Sequence, residues 1–77
     1  MKARVFVSLK SSVLDPQGQT VCAALNGLGH TTIHDIRQGK FFEIDYDAGA
    51  DLEEIARDVL TNPVIEEYRI EYLDSEL

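Results

Sequence analysis

Residues 2–10 alternate side chain by side chain. Ala3, Val5, Val7 and Leu9 fall on one side, and Lys2, Arg4, Ser8 and Lys10 on the other. Period two marks a strand with one buried face, so the chain must build a sheet and cover that face. Phe6 stands on the polar side, either as a lone exposed aromatic or as a contact residue. With 77 residues there is room for one domain, spanning 1–77, whose core supplies only about 3–5 kcal/mol. Cys22 is the only cysteine, so no intrachain disulfide can add to this. A lone cysteine fits a reducing compartment.

The rest of the chain supplies the cover. Asp15-Pro16 is a helix start, because the carboxylate accepts from free N–H groups and proline at the first position loses none. Val21, Leu25 and Leu28 follow at i, i+4 and i+7 with Cys22 and Ala24 beside them. Gly29 stops the helix, which spans about 16–28. Thr31 to Asp47 reads as extended, with Phe42, Ile44 and Tyr46 alternating against Glu43, Asp45 and Asp47. Gln38-Gly39 within it serves as a hairpin turn or as a bulge in one bent strand; a tight hairpin is the expected form. Asp51 with Glu54 opens a second helix, about 51–61, which Asn62-Pro63 ends. A last strand, about 65–73, alternates Tyr68, Ile70 and Tyr72 against Glu67, Arg69 and Glu71.

This order predicts an α+β fold. A single antiparallel sheet carries both helices on one face, ferredoxin-like in β-α-β(β)-α-β order. The bare sheet face and the open edges then call for a second copy that extends the sheet.

The net charge is −7, and it is uneven. Residues 1–42 hold five basic and two acidic side chains (+3); residues 43–77 hold two basic and twelve acidic ones (−10). That balance disfavours nucleic acid. The acidic half reads as a solvated face, or as a docking surface for a basic partner. Ser8 and Lys10 interrupt any signal-peptide core, and the longest apolar run, Val21 to Leu25, is far too short for a membrane span. The expectation is a soluble, cytoplasmic protein.

A search for chemistry finds none. His30 and His34 straddle the end of a helix, and no cysteine or carboxylate pattern completes a metal site around them. Cys22 sits beside an apolar stripe with no sequence neighbour to activate it. Glu53-Glu54, Glu66-Glu67 and Asp45/Asp47 belong to solvated faces rather than to an apolar cleft that would shift their pKa values. The loop from Lys10 into the helix at Asp15, Pro16, Gln17 and Gly18 is no phosphate-binding motif. Arg37, Gly39 and Lys40 form a basic tip, either a solvated turn or a contact with a partner.

These segments carry a resemblance. Val5-Phe6-Val7-Ser8-Leu9-Lys10, Val13-Leu14-Asp15-Pro16-Gln17-Gly18, Leu25 to Gly29, and Ile36-Arg37-Gln38-Gly39-Lys40 with Glu43 resemble the PurS family over nearly the whole chain. PurS is the small subunit of phosphoribosylformylglycinamidine synthase. The resemblance implies a non-catalytic, dimeric or tetrameric bridge in a ligase of purine biosynthesis. That enzyme converts formylglycinamide ribonucleotide, glutamine and ATP to formylglycinamidine ribonucleotide, glutamate, ADP and phosphate. It implies two partners: a glutaminase subunit that releases ammonia, and a large synthetase subunit that binds ATP, magnesium and the ribonucleotide. No catalytic, cofactor or metal residue is expected on this chain. Lys10, Asp15, Pro16, Gln17, Gly18, Arg37, Gly39 and Lys40 are the candidate interface residues, being least explained by core packing. Two rivals have the same shape. One is an ACT-like module binding a small molecule; the other is an acylphosphatase, a family that holds phosphate with an arginine in the loop after the first strand, and here that loop, Lys10 to Gln17, has no arginine.

Overall fold

A computed structural model of the chain describes residues 1–73; the last four residues of the expected domain lie outside the described residues. The elements run β1 (Lys2–Leu9), α1 (Pro16–Gly27), β2 (Gly39–Asp45), α2 (Leu52–Ile55) with a π-helical turn at Ala56–Leu60, and β3 (Glu66–Tyr72). The strands form one antiparallel sheet in the order β2-β1-β3. The α+β class and the β-α-β-α-β order are those expected. The optional extra strand does not form.

The alternation in β1 becomes burial. Ala3, Val5 and Val7 are buried, and Ala56 of the π-helical turn closes over Val5 and Val7. Phe42, Ile44, Leu60, Tyr68 and Ile70 pack around this cluster. Asp51 caps α2 as its sequence promises, its Oδ1 accepting from the Glu54 N–H at 3.1 Å. Tyr68 Oη donates to Glu53 Oε2 at 2.8 Å, tying β3 to α2.

The opposite face carries Arg4 and Phe6 of β1, Phe41 and Glu43 of β2, and Arg69 and Glu71 of β3. Register places these in two rows, Glu43–Arg4–Glu71 and Phe41–Phe6–Arg69. Arg4 pairs with Glu43 at 3.1 Å and reaches Glu71 at 4.0 Å. Arg69 lies 4.5 Å over the Phe6 ring, whose centroid is 5.8 Å from that of Phe41.

Two expectations need correction. Gln38-Gly39 is neither a hairpin turn nor a bulge. The chain has no regular structure from 33 to 38, and β2 begins at Gly39. Hydrogen bonds hold this segment elsewhere: the Gln38 N–H donates to Asp15, Ile33 O accepts from Asn26 and Cys22 of α1, and the Arg37 side chain donates to the carbonyls of Lys10 and Val13. The second correction concerns the cover. Among the described residues the helical members of the core cluster are Ala56 and Leu60 of the π-helical turn, with Leu52 of α2 also buried. α1 buries Gly18 alone, and Val21 and Leu28 remain 42% and 77% exposed.

Candidate interface at the base of the first helix

Asp15 is buried, with extended backbone geometry at the cap position of α1. Its Oδ1 accepts from the Gly18 N–H at 2.9 Å, as an N-cap does. Its Oδ2 accepts from the Gln38 N–H at 2.8 Å. One carboxylate therefore starts a helix and holds a segment 23 residues away. The Gln38 N–H, then the Gly18 N–H, hold the Asp15 carboxyl below its ordinary 3.8; burial opposes them and the Arg37 charge assists.

Arg37 completes the joint from the other side. Its Nη2 donates to the carbonyls of Lys10 and Val13, each at 2.8 Å. Lys10 also accepts from the Val13 N–H and donates its own N–H to Ile65 O, each at 2.9 Å, so the loop is fastened to the sheet end. The Gln38 side chain donates to Gln17 Oε1. Gly18 has a packing reason. A Cβ there would lie 2.1 Å from the Ile36 carbonyl oxygen, so only glycine lets the returning chain pass. Gly39 is similar, since its Cβ would lie 2.4 Å from Val7 O where β2 starts beside β1.

At the far end of α1 the same segment is tied again. Ile33 O accepts from Asn26 Nδ2 at 3.3 Å and from the Cys22 thiol at 3.7 Å. The helix closes with His30 N–H to Leu25 O and Gly29 N–H to Asn26 O, and Gly29 sits at φ 99°. Residues 33–38 thus run back along α1, fixed at both ends.

The sequence candidates therefore fall in one place. Asp15 and Gly18 are buried within the joint; Pro16, Gln17, Arg37, Gly39 and Lys40 are exposed, and Lys10 is half-buried. A cleft of about 300 Å3 opens where the joint meets the sheet, lined by Ser8, Gln17, Gln38, Lys40 and Glu66 among others. Ile36 and Gln38 were missed as joint residues. The buried second oxygen of Asp15 needs a donor, but nothing in the sequence says which. Phe41 was also missed as the partner of Phe6. Their facing positions follow only from the β1–β2 register.

Among the described residues no group of three or more His, Cys, Asp and Glu comes together as metal ligands. No helix among them is long and apolar enough to cross a membrane.

Residues 2–74 match the family described as PurS, phosphoribosylformylglycinamidine (FGAM) synthase. The PurS subunit of that synthase from Mycobacterium leprae is 49% identical over 72 residues, covering 90% of this chain and 91% of the relative. The solved structure of Bacillus subtilis PurS superimposes with a TM-score of 0.82 at 41% identity, covering 91% of this chain and 94% of that one. A chain of the PurLQS structure from Thermotoga maritima gives 0.82 at 27% identity, covering 94% and 95%.

Proposed function

The chain belongs to the PurS family of phosphoribosylformylglycinamidine synthase subunits, and on that premise we propose that it is the non-catalytic bridge of the complex. It is the small subunit of a ligase of purine biosynthesis that makes formylglycinamidine ribonucleotide from formylglycinamide ribonucleotide, glutamine and ATP. A PurLQS assembly is known for a structural relative. The partners of this chain are accordingly the large synthetase subunit and the glutaminase subunit. ATP and magnesium belong to the synthetase subunit, and the assembly works in the cytoplasm.

The observation that carries the bridging role is α1. Residues 16–34 contain no Asp, Glu, Lys or Arg, in a chain that is 27% charged. Leu14, Val21 and Leu28, seven apart, are 64%, 42% and 77% exposed. A charge-free helix with an apolar stripe in solvent calls for cover from outside the chain. α1 and the exposed Gln17, Arg37 and Lys40 at its base form the surface offered to the other subunits. Asp15 and Gly18 act from behind by fixing the angle of the helix. Such a contact also helps enclose the ammonia path, since ammonia in water is mostly protonated and loses its nucleophilic pair.

A second surface serves the chain's own copy. Among the described residues the outer edge of β2 pairs with no strand. Two β2 strands meeting antiparallel about a two-fold axis at Phe42, the midpoint of Gly39–Asp45, pair over their full length and join the sheets of a homodimer.

The test is co-purification with the synthetase and glutaminase subunits, read together with glutamine-dependent turnover. Val21→Asp and Lys40→Ala should lower both while the isolated chain keeps its circular dichroism. Unchanged assembly with both variants overturns the assignment of α1 to the other subunits.

A further inference from the structure

The cleft at the base of α1 holds charges of both signs that the chain leaves unused. It measures about 300 Å3, at the lower end of the ~300–1,000 Å3 of small-molecule sites. Val7 and Leu9 of β1 line it between Lys40 of β2 and Glu66 of β3, and Asp15, Gln17 and Gln38 line it from the α1 side. Lys40 and Glu66 do not pair with each other: the Lys40 ammonium lies 5.7 Å from the Phe42 ring, and Glu66 Oε1 accepts from the Asn62 N–H at 2.8 Å. We propose that this cleft binds a free α-amino acid whose side chain ends in a carboxamide, the class to which glutamine belongs.

The charges select a zwitterion. Asp15, Lys40 and Glu66 leave the cleft with one negative charge in excess, so a phosphate or a simple carboxylate meets repulsion. Both oxygens of Asp15 are taken by the Gly18 and Gln38 N–H groups, and Glu66 Oε2 is the acceptor left for a ligand ammonium. Val7 stands opposite Lys40, and Leu9 opposite Glu66. Two strand spacings across and two residues along put the Lys40 and Glu66 backbones roughly 12 Å apart. The α-carboxylate then goes to Lys40 and the α-ammonium to Glu66, each by a charge-assisted bond.

The two glutamines select the side chain. Gln38 Nε2 donates to Gln17 Oε1. The pair keeps a donor on Gln17 Nε2 and an acceptor on Gln38 Oε1 for a ligand. A carboxamide answers both: its oxygen accepts from Gln17, and its nitrogen donates to Gln38. A carboxylate brings no proton for Gln38 and adds a negative charge to a cleft that already has an excess, so glutamate fits worse than glutamine. On the bridging role proposed above, glutamine is the nitrogen donor of the complex, and this subunit holds a site for it apart from the glutaminase. The binding itself does not rest on that role.

The experiment titrates the purified full chain with L-glutamine and with L-glutamate, by calorimetry and by the amide spectrum of the protein. Glutamine should bind saturably and shift the side-chain amide signals of Gln17 and Gln38. Glutamate should bind at least about ten-fold more weakly. Lys40→Met and Glu66→Gln keep the length of each side chain and remove its charge. Each should weaken glutamine at least about ten-fold while circular dichroism stays that of the wild type. No saturable binding up to millimolar glutamine overturns the site, as does equal binding of glutamate or unchanged affinity in both variants. None of these results bears on co-purification with the other subunits, so the site can fail while the bridging role stands.

Discussion

α2 and its π-helical turn bury Leu52 and Ala56, the latter against Val5 and Val7. α1, three times as long as the four-residue α2, buries Gly18 alone. The first is held by removal of apolar surface from water. The second is held by polar contacts: two oxygens of Asp15, one guanidinium nitrogen of Arg37 and the carbonyl of Ile33. Such bonds fix direction but contribute little net stability, because each replaces a bond to water. A helix fixed in direction and left uncovered is a presented surface, whereas a covered helix is part of the core.

The largest effect should separate the two helices outright. Ala56→Asp puts a charge into a fully buried position, at a cost of several kcal/mol, about the whole stability of a domain this small. The chain should not fold, as read by circular dichroism. Val21→Asp on α1 should change the unfolding free energy of the isolated chain, read from denaturation, by no more than about 0.5 kcal/mol.

Gly18→Ala comes next. Its methyl group would sit 2.1 Å from the Ile36 carbonyl, so residues 36–38 must withdraw from α1. Overpacking of this kind costs about 1–3 kcal/mol. Fast amide exchange at Gln38 with β1 unaffected would confirm that the joint and the core are separate. Equal loosening of β1 would show them to be one unit.

The acid response of the joint follows from Asp15. Its folded pKa is depressed, so its stabilisation is present above the ordinary 3.8 and is lost as pH falls through the lower folded value. Gln38 and Gly18 amides should lose protection progressively as pH falls below 3.8 towards the depressed folded value, before the β1 amides do. Asp15→Asn should flatten that dependence.

The smallest effect belongs to the covered half. The hydrogen bond from Tyr68 to Glu53 raises the phenol above its ordinary 10.0, with burial adding to it. That contribution is full below pH 10 and is lost as pH rises through the folded value. Glu53→Gln should move the tyrosinate absorbance of Tyr68 to lower pH without unfolding the chain.

The two halves also differed in how far the sequence could be read. β1, β3, the core face and the Asp51 cap are periodic or local signals, and they appear where alternation and capping put them. The segment 33–38 misled because Ile33, Ile36 and the β-branched Thr31 and Thr32 favour extended backbone, which allows a strand but does not require one. Its hydrogen-bond partners, Asp15, Asn26 and Cys22, are fixed by tertiary approach. The same holds for the site. Asp15 and Gly18 were legible as a cap and a close-packing glycine, and Arg37 as an unexplained charge. That they meet could not be read from spacing alone.

The account turns on α1 being directed by its own chain and covered by another. Amide exchange of residues 20–27 should be measured in the isolated chain and again in the complex with the synthetase and glutaminase subunits. The α1 amides should exchange quickly in isolation and slow strongly on assembly, while those of Val5 and Val7 stay slow in both. An α1 already as protected as β1 in the isolated chain, or one unprotected in both states, would contradict it.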